Sequence, residues 1–263
     1  MSFLVNPYLY APTCPDADGA AFLAAAGITD PTITSAICTL VISMKANGTW
    51  AKCDAIYPMV GNTASQQKWN LKDPRDLDAA FRLNFVGGWS FSANGALPNG
   101  TNSYADSFLN ANTTLNINSS HISYYSRTNI GEGRYDIGAA VDPSSYFVIA
   151  SRLATNRFRS MVYTGVVSDI ANTDSKGWFC SNRPALNILN AFKNLTKTHN
   201  LIQIATSKPN KTIYLGALNF TTPSLFSTKE CAFASIGAGF NDTEAAALYT
   251  AVQAFQTTLS RQV

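Results

Sequence analysis

Hydrophobic and polar residues alternate in short runs along most of this chain. Phe81, Leu83 and Phe85 alternate with Arg82 and Asn84, the period-2 pattern of a strand with one buried face. Gly87-Gly88 interrupts the run, Trp89 and Phe91 resume it, and Asn94-Gly95 and Asn99-Gly100 are tight-turn dipeptides. Residues 104–108 close the unit, which predicts a β-meander. Leu115, Ile117, Ile122 and Tyr124 continue the alternation. Runs at 135–141, 146–153, 158–167, 178–180, 201–205 and 212–218 read as further strands, each bounded by Asn, Gly, Pro or Asp. Their spacing is that of a β-sandwich. The segment 187–195 fits a loop or brief helix as well as a strand.

Helical patterns are confined to the two ends. Residues 18–26 are Ala-rich, with Gly27 as a stop. Asp30 is a good N-cap, Pro31 suits the first helical position and Gly48 follows the last turn; between them Ile33, Ile37, Leu40, Val41 and Met44 form one apolar face. Near the C-terminus Asn241 and Glu244 make a capping-box pattern, and Leu248, Val252, Phe255 and Leu259 line the face of a final helix. Residues 1–15, with Pro7, Pro12 and Pro15, read as an extended arm, and Asp73-Pro74 with Asp76 as a capped turn. The expected architecture is all-β: a two-sheet antiparallel jelly-roll sandwich over 61–263 with its terminal helix, preceded at 1–60 by an N-terminal arm and helical attachment segment. The helix at 30–47 shows more apolar surface than a sandwich edge readily covers, so this segment is expected to hold a partner chain, another copy or a larger assembly.

Composition narrows the function. Charged residues make up 13% of the chain and the net charge is +3, with no Lys/Arg cluster, so nucleic acid is not an expected partner. No apolar run approaches the roughly 20 residues of a membrane span. The first residues lack a basic start and a long apolar core, so no secretory signal is expected, and the eight N-x-S/T sequons are read as a by-product of Asn and Thr richness. The five cysteines (Cys14, Cys38, Cys53, Cys180, Cys231) are odd in number and widely spaced, and we read them as buried free thiols.

Candidate chemistry is sparse. Only three glutamates occur, Glu132, Glu230 and Glu244, and none lies in a strand carrying two acids on one face. The best pair is Glu132 and Asp136 in E-G-R-Y-D, read as a salt-bridged hairpin tip. His121 and His199 are the only histidines; His121 stands among Ser119, Ser120 and Ser123, without a nucleophile-elbow motif. Asp169, Asn172 and Asp174 read as a polar turn rather than a calcium loop. Trp89, Trp178, Tyr124 and Tyr125 are the aromatics suited to stacking on sugars, though alternation sends at least one of the two tyrosines inward. No catalytic, metal or cofactor residue is therefore expected, and no ligand-binding residue is named.

The ordered set of motifs resembles a known family. A Gly-punctuated strand pair leads to N-G-T-N-x-Y-A at 99–105, then to His121-Ile-Ser-Tyr-Tyr-Ser-Arg127 and Ile213-Tyr-Leu-Gly216. A strand ending in a Gly-rich turn at 230–240 and a helix beginning T-E-A-x-x-L-Y follow. Together, over about 80–263, they resemble the laminin-G-like, concanavalin A-like sandwiches, especially those of bacteriophage structural proteins. The resemblance implies a non-enzymatic virion component, namely a capsid-associated, head-fibre or tail-appendage protein. It also implies homo-oligomers, contacts with other virion proteins through the N-terminal segment, and a host surface glycan as the ligand an adhesive sandwich would take. A glycan-cleaving enzyme on a sandwich scaffold and a stand-alone lectin are the rival expectations.

Overall fold

The computed structural model describes residues 13–263, so the arm expected at 1–15 lies almost wholly outside the described residues. The helices are α1 (Ala17–Ala26), α2 (Pro31–Ala46), the one-turn α3 (Ala64–Gln67) and α4 (Ala111–Thr114), and α5 (Asp242–Thr258). The strands are β1 (Cys53–Tyr57), β2 (Asn84–Val86), β3 (Trp89–Ser92), β4 (Gly95–Pro98), β5 (Tyr104–Asn110), β6 (Ser120–Ser126), β7 (Ile137–Ala139), β8 (Tyr146–Ala150) and β9 (Arg157–Thr164). They continue as β10 (Asp169–Ala171), β11 (Gly177–Ala185), β12 (Ile188–Lys193), β13 (Thr196–Ile202), β14 (Thr212–Leu215), β15 (Leu218–Asn219), β16 (Pro223–Ser224) and β17 (Cys231–Gly237).

These strands form two sheets. The first runs β13-β12-β11-β6-β17-β4-β3, with β1 also paired to β17; the second runs β10-β9-β8-β7-β14-β5-β2, with β15 and β16 attached at β7. All pairings are antiparallel except the single step between β15 and β7. The expected all-β sandwich is the observed fold.

Alternation explains which side chains meet between the sheets. Ile122, Tyr124, Phe179, Leu189 and Ile236 from the first sheet pack against Ala105, Ile137, Phe147, Ile149, Val162 and Leu215 from the second. The other face of the first sheet is covered too. Tyr125, Trp178, Phe192 and Phe233 point outward and are buried under Phe22, Ile37, Leu40, Val41, Leu248, Val252 and Phe255 of α1, α2 and α5. Each fully buried large side chain there contributes about 1.5–3 kcal/mol of apolar transfer free energy. The helix layer is thus a second core.

That layer revises the reading of the N-terminal region. The apolar face of α2 is covered within the chain, since Ile37, Leu40, Val41 and Met44 have at most 1% exposure. β1, inside the expected 1–60 attachment segment, is a strand of the sandwich, paired to β17 from Cys53↔Gly237 to Tyr57↔Ala234. The cysteines need correction as well. Cys14 and Cys38 form a disulfide with Cα atoms 5.5 Å apart, tying the entry of α1 to α2, while Cys53, Cys180 and Cys231 are buried free thiols. Sequence separation could not reveal the pair, because the α1–α2 hairpin brings the two residues together.

Caps fall where the sequence places them. Asp30 Oδ1 accepts from the Ile33 amide at 2.9 Å, Gly27 takes φ 62° to end α1, and the Asn241–Glu244 capping box opens α5. Local departures are few. Phe81 does not extend a strand; it sits at φ 59° closing the turn Asp78–Ala80, and pairing begins at Asn84. Leu115 and Ile117 flank α4 and a single bridge between Asn116 and Ser119 instead of forming a strand. The ambiguous segment 187–195 is the interior strand β12.

Candidate functional site

The acid pair of E-G-R-Y-D is salt-bridged, as expected, but lies in the interior rather than at a hairpin tip. Glu132 and Asp136 are buried and converge on Lys229, whose side chain has no exposed surface. Lys229 Nζ donates to Glu132 Oε1 at 3.0 Å and to Asp136 Oδ1 at 3.1 Å. Ser227 Oγ lies 3.0 Å and 2.8 Å from the same two oxygens, and the Thr228 amide and hydroxyl donate to Glu132 at 3.0 and 2.8 Å. Burial alone would raise the Glu132 pKa, but Lys229 and the Thr228 donors outweigh it and hold the carboxyl below its ordinary value. The other two glutamates are paired as well, Glu230 with Arg127 at 3.0 Å and Glu244 with Lys52 at 2.6 Å.

The histidines are similarly committed. His121 is fully buried; its Nδ1 lies 2.7 Å from the Ala238 carbonyl and its Nε2 2.9 Å from Ser235 Oγ, which in turn contacts Ser123 Oγ at 2.7 Å. This serine–histidine contact lies in the interior, with His121, Ser123 and Ser235 all at 0% exposure. Burial pushes the imidazole down to about 3, so the ring is neutral at ordinary pH. His199 accepts or donates through Nδ1 to buried Ser168 at 2.7 Å. In the polar turn, Asp169 takes both Arg159 nitrogens at 2.7 and 2.8 Å, and Asn172 Oδ1 accepts from Lys193 at 2.8 Å. Lys193 also donates to the Asp174 carbonyl at 2.7 Å, so Asn172 and Asp174 share one cation while Asp169 is held by Arg159.

The sugar-stacking aromatics are interior. Trp178 and Tyr125 lie under the helix layer, and Tyr124 lies between the sheets with its hydroxyl on the Lys229 carbonyl at 2.8 Å. Both neighbouring tyrosines are buried because β6 has a core on each side. Trp89 is half-buried, packed on Phe85 and Phe91, with its indole N–H on the Val86 and Tyr104 carbonyls.

Two aromatic pairs lie on the outer face of the second sheet. Tyr104 stacks on Tyr214 with centroids 4.5 Å apart, and Tyr135 on Tyr146 at 6.3 Å, beside the Arg159–Asp169 pair. Asp106 stands opposite Tyr214, and burial raises its pKa. Between the two sheet ends, at β13 and the β9–β10 turn, runs a trough of 790 Å³ lined by Val166, Leu201, Ile202 and Ile204. Sequence reading named no surface-stacking role for Tyr104, Tyr214, Tyr135 or Tyr146, since alternation alone cannot say what covers each sheet face.

No family model matches the sequence, and no curated protein matches it. Solved structures do share the fold. Domain 4 of a GH43 extracellular arabinanase from Geobacillus stearothermophilus, in complex with arabinotriose, is similar at 11% identity with a TM-score of 0.52, over 75% of this chain and 98% of that one. Trypanosoma rangeli sialidase in complex with sialic acid is similar at 10% identity with a TM-score of 0.51, over 81% of this chain and 38% of the sialidase. At these identities the likeness is one of fold, the β-sandwich.

Proposed function

We propose that this chain is a non-enzymatic recognition module, a β-sandwich of a bacteriophage particle that serves a structural or adhesive role and takes a host surface glycan as ligand. One observation carries the non-enzymatic part: all three glutamates are tied up in ion pairs, Glu132 with Lys229, Glu230 with Arg127 and Glu244 with Lys52. Most glycoside hydrolases work with a pair of Asp or Glu carboxyl groups flanking the scissile bond, and Glu132 and Asp136, the best pair in the sequence, are instead closed on Lys229. Glycan recognition draws support from the scaffold, since a sandwich of this fold is known with arabinotriose bound. The phage setting rests on the ordered motif resemblance over about 80–263. In this reading the protein is carried on the virion, as several copies, attached through its N-terminal segment.

The test has two arms. Mass spectrometry of purified particles should find the chain as a virion component. Screening the purified protein against host surface polysaccharides should give binding without release of reducing ends. Turnover abolished by Glu132→Gln would replace this reading with a glycan-cleaving enzyme.

A further inference from the structure

The two lateral sides of the sandwich end differently. On one side β2 passes through Gly87-Gly88 directly into β3, so the chain itself crosses from the second sheet to the first and closes that side. On the other side the sheets stop at β13 and β10, with His199 Nδ1 2.7 Å from Ser168 Oγ between them. Among the described residues β13 pairs only with β12. Its first half is protected, because the register shifts opposite Ala191 and Phe192 and Lys197 is held by Asp242 at 2.6 Å. Bulges and charged side chains of this kind keep a sheet edge from pairing. The second half carries no such device.

The hydrogen bonds after β13 show which backbone groups are free. The Gln203 and Ala205 amides donate inward, to the Asn187 and Leu186 carbonyls. Successive residues of a strand turn their backbone groups to opposite edges. Asn200, Ile202 and Ile204 therefore turn theirs outward, where no described strand meets them. The side chains along this edge are apolar and uncovered: Ile202 is 91% exposed, Ile204 65%, and Val166 and Val167 of the β9–β10 turn 61% and 51%. None of the described residues lining the 790 Å³ trough beside them is charged.

We propose that this edge is the interface with a second copy of the chain, two β13 strands pairing antiparallel across a twofold axis at Ile202. A twofold contact sets each surface against itself. Like charges would repel there, and this lining carries none. Pairing about Ile202 sets Asn200 opposite the partner's Ile204, so the three outward residues of each strand exchange their N–H and C=O groups. The area suffices. The edge from Thr196 to Ile204 runs about 30 Å, and two sheets about 10 Å apart with their side chains give about 20 Å of width. That is about 600 Å² per copy, at the lower end of the roughly 600–1,000 Å² per partner of stable specific interfaces. Because the chain closes the opposite side, each copy offers one such edge and pairing stops at the dimer. This assignment rests on the several-copy reading above and names the surface that joins two copies.

The experiment is sedimentation equilibrium of the full chain at concentrations up to about 100 μM, repeated on Ile202→Lys and Ile202→Cys, with far-ultraviolet circular dichroism to confirm the fold of each. The unmodified chain should be a dimer. Ile202→Lys sets like charges opposite each other across the axis, so association should weaken at least about a hundredfold. Its spectrum should not change, since Ile202 is 91% exposed in the single chain. Ile202→Cys should cross-link to its copy under mild oxidation, because residues paired on the axis stand about 5.5 Å apart at Cα, within disulfide reach. A monomer at every concentration overturns the interface but leaves the virion reading to the mass spectrometry of particles. An oligomer that Ile202→Lys does not weaken, or in which Ile202→Cys does not cross-link, overturns this edge as the contact. Capture of a different virion protein by a monomeric chain, lost in Ile202→Lys, overturns self-pairing and gives the edge to that partner.

Discussion

Lys229, with no exposed side-chain surface, donates to Glu132 at 3.0 Å across 97 positions of sequence. The contact joins the segment before β7 to the entry of β17, and Asp136 completes a buried triad. Removing the cation would leave two carboxylates facing each other away from water. Breaking a buried pair from one side costs about 3–5 kcal/mol, so Lys229→Met should lower the urea midpoint sharply. Glu132→Gln, which keeps the Lys229–Asp136 contact, should cost clearly less. Equal, small losses in both would show that the triad is not holding these segments.

The same carboxyl gives a pH signature. Glu132 has a folded-state pKa below the ordinary glutamate value, through Lys229 and Thr228 acting against burial. Its stabilisation is therefore complete at neutral pH and is lost as pH falls below about 4.3 and through the depressed folded value. Thermal unfolding followed from pH 6 to pH 3 should show this loss, and Glu132→Gln should remove it.

His121 acts in a higher window. Burial lowers its pKa to about 3, whereas an unfolded histidine titrates near 6.5. Between those values the unfolded chain binds a proton that the folded chain refuses. Stability should thus fall on acidification by up to about 1.4 kcal/mol per pH unit. His121→Gln should flatten the profile between pH 6.5 and 4. An unchanged slope would mean that the imidazole is protonated in the folded protein.

Sequence pattern and structure agree most closely where one rule acts alone. The N-cap at Asp30, the capping box at Asn241 and the tight turn at Asn94-Gly95 depend on a few neighbours. Disagreement begins where tertiary partners decide. β12 reads ambiguously because Asn190 interrupts its apolar residues on the helix side, yet β11 and β13 pair with it on both edges. Tyr125 looks like the solvent member of an alternating pair until α5 covers it. Glu132 reads as a tip residue because Lys229 is far away in sequence.

The Cys14–Cys38 disulfide is open to direct counting. Denatured without reductant, the chain should release three reactive thiols from its five cysteines, those of Cys53, Cys180 and Cys231. The native protein should react slowly, since all three are buried and burial pushes the Cys53 thiol up to about 12. Closing a loop between residues 24 apart restricts the unfolded chain, and Cys14→Ser with Cys38→Ser should cost about 3 kcal/mol. Five reactive thiols in the denatured, unreduced chain would refute the bond.

Two truncations separate attachment from folding. Deleting 1–60 removes α1, α2 and β1 together, which strips a strand from β17 and bares the face of Trp178, Phe192 and Phe233. An apolar surface of that kind drives association, so this fragment should precipitate or expose dye-binding surface instead of remaining a soluble sandwich. Deleting 1–12 removes none of the described elements. If the N-terminal segment attaches the module, the shorter deletion should abolish incorporation into particles while leaving saccharide binding unchanged. Normal incorporation after removal of 1–12 would move attachment to another surface.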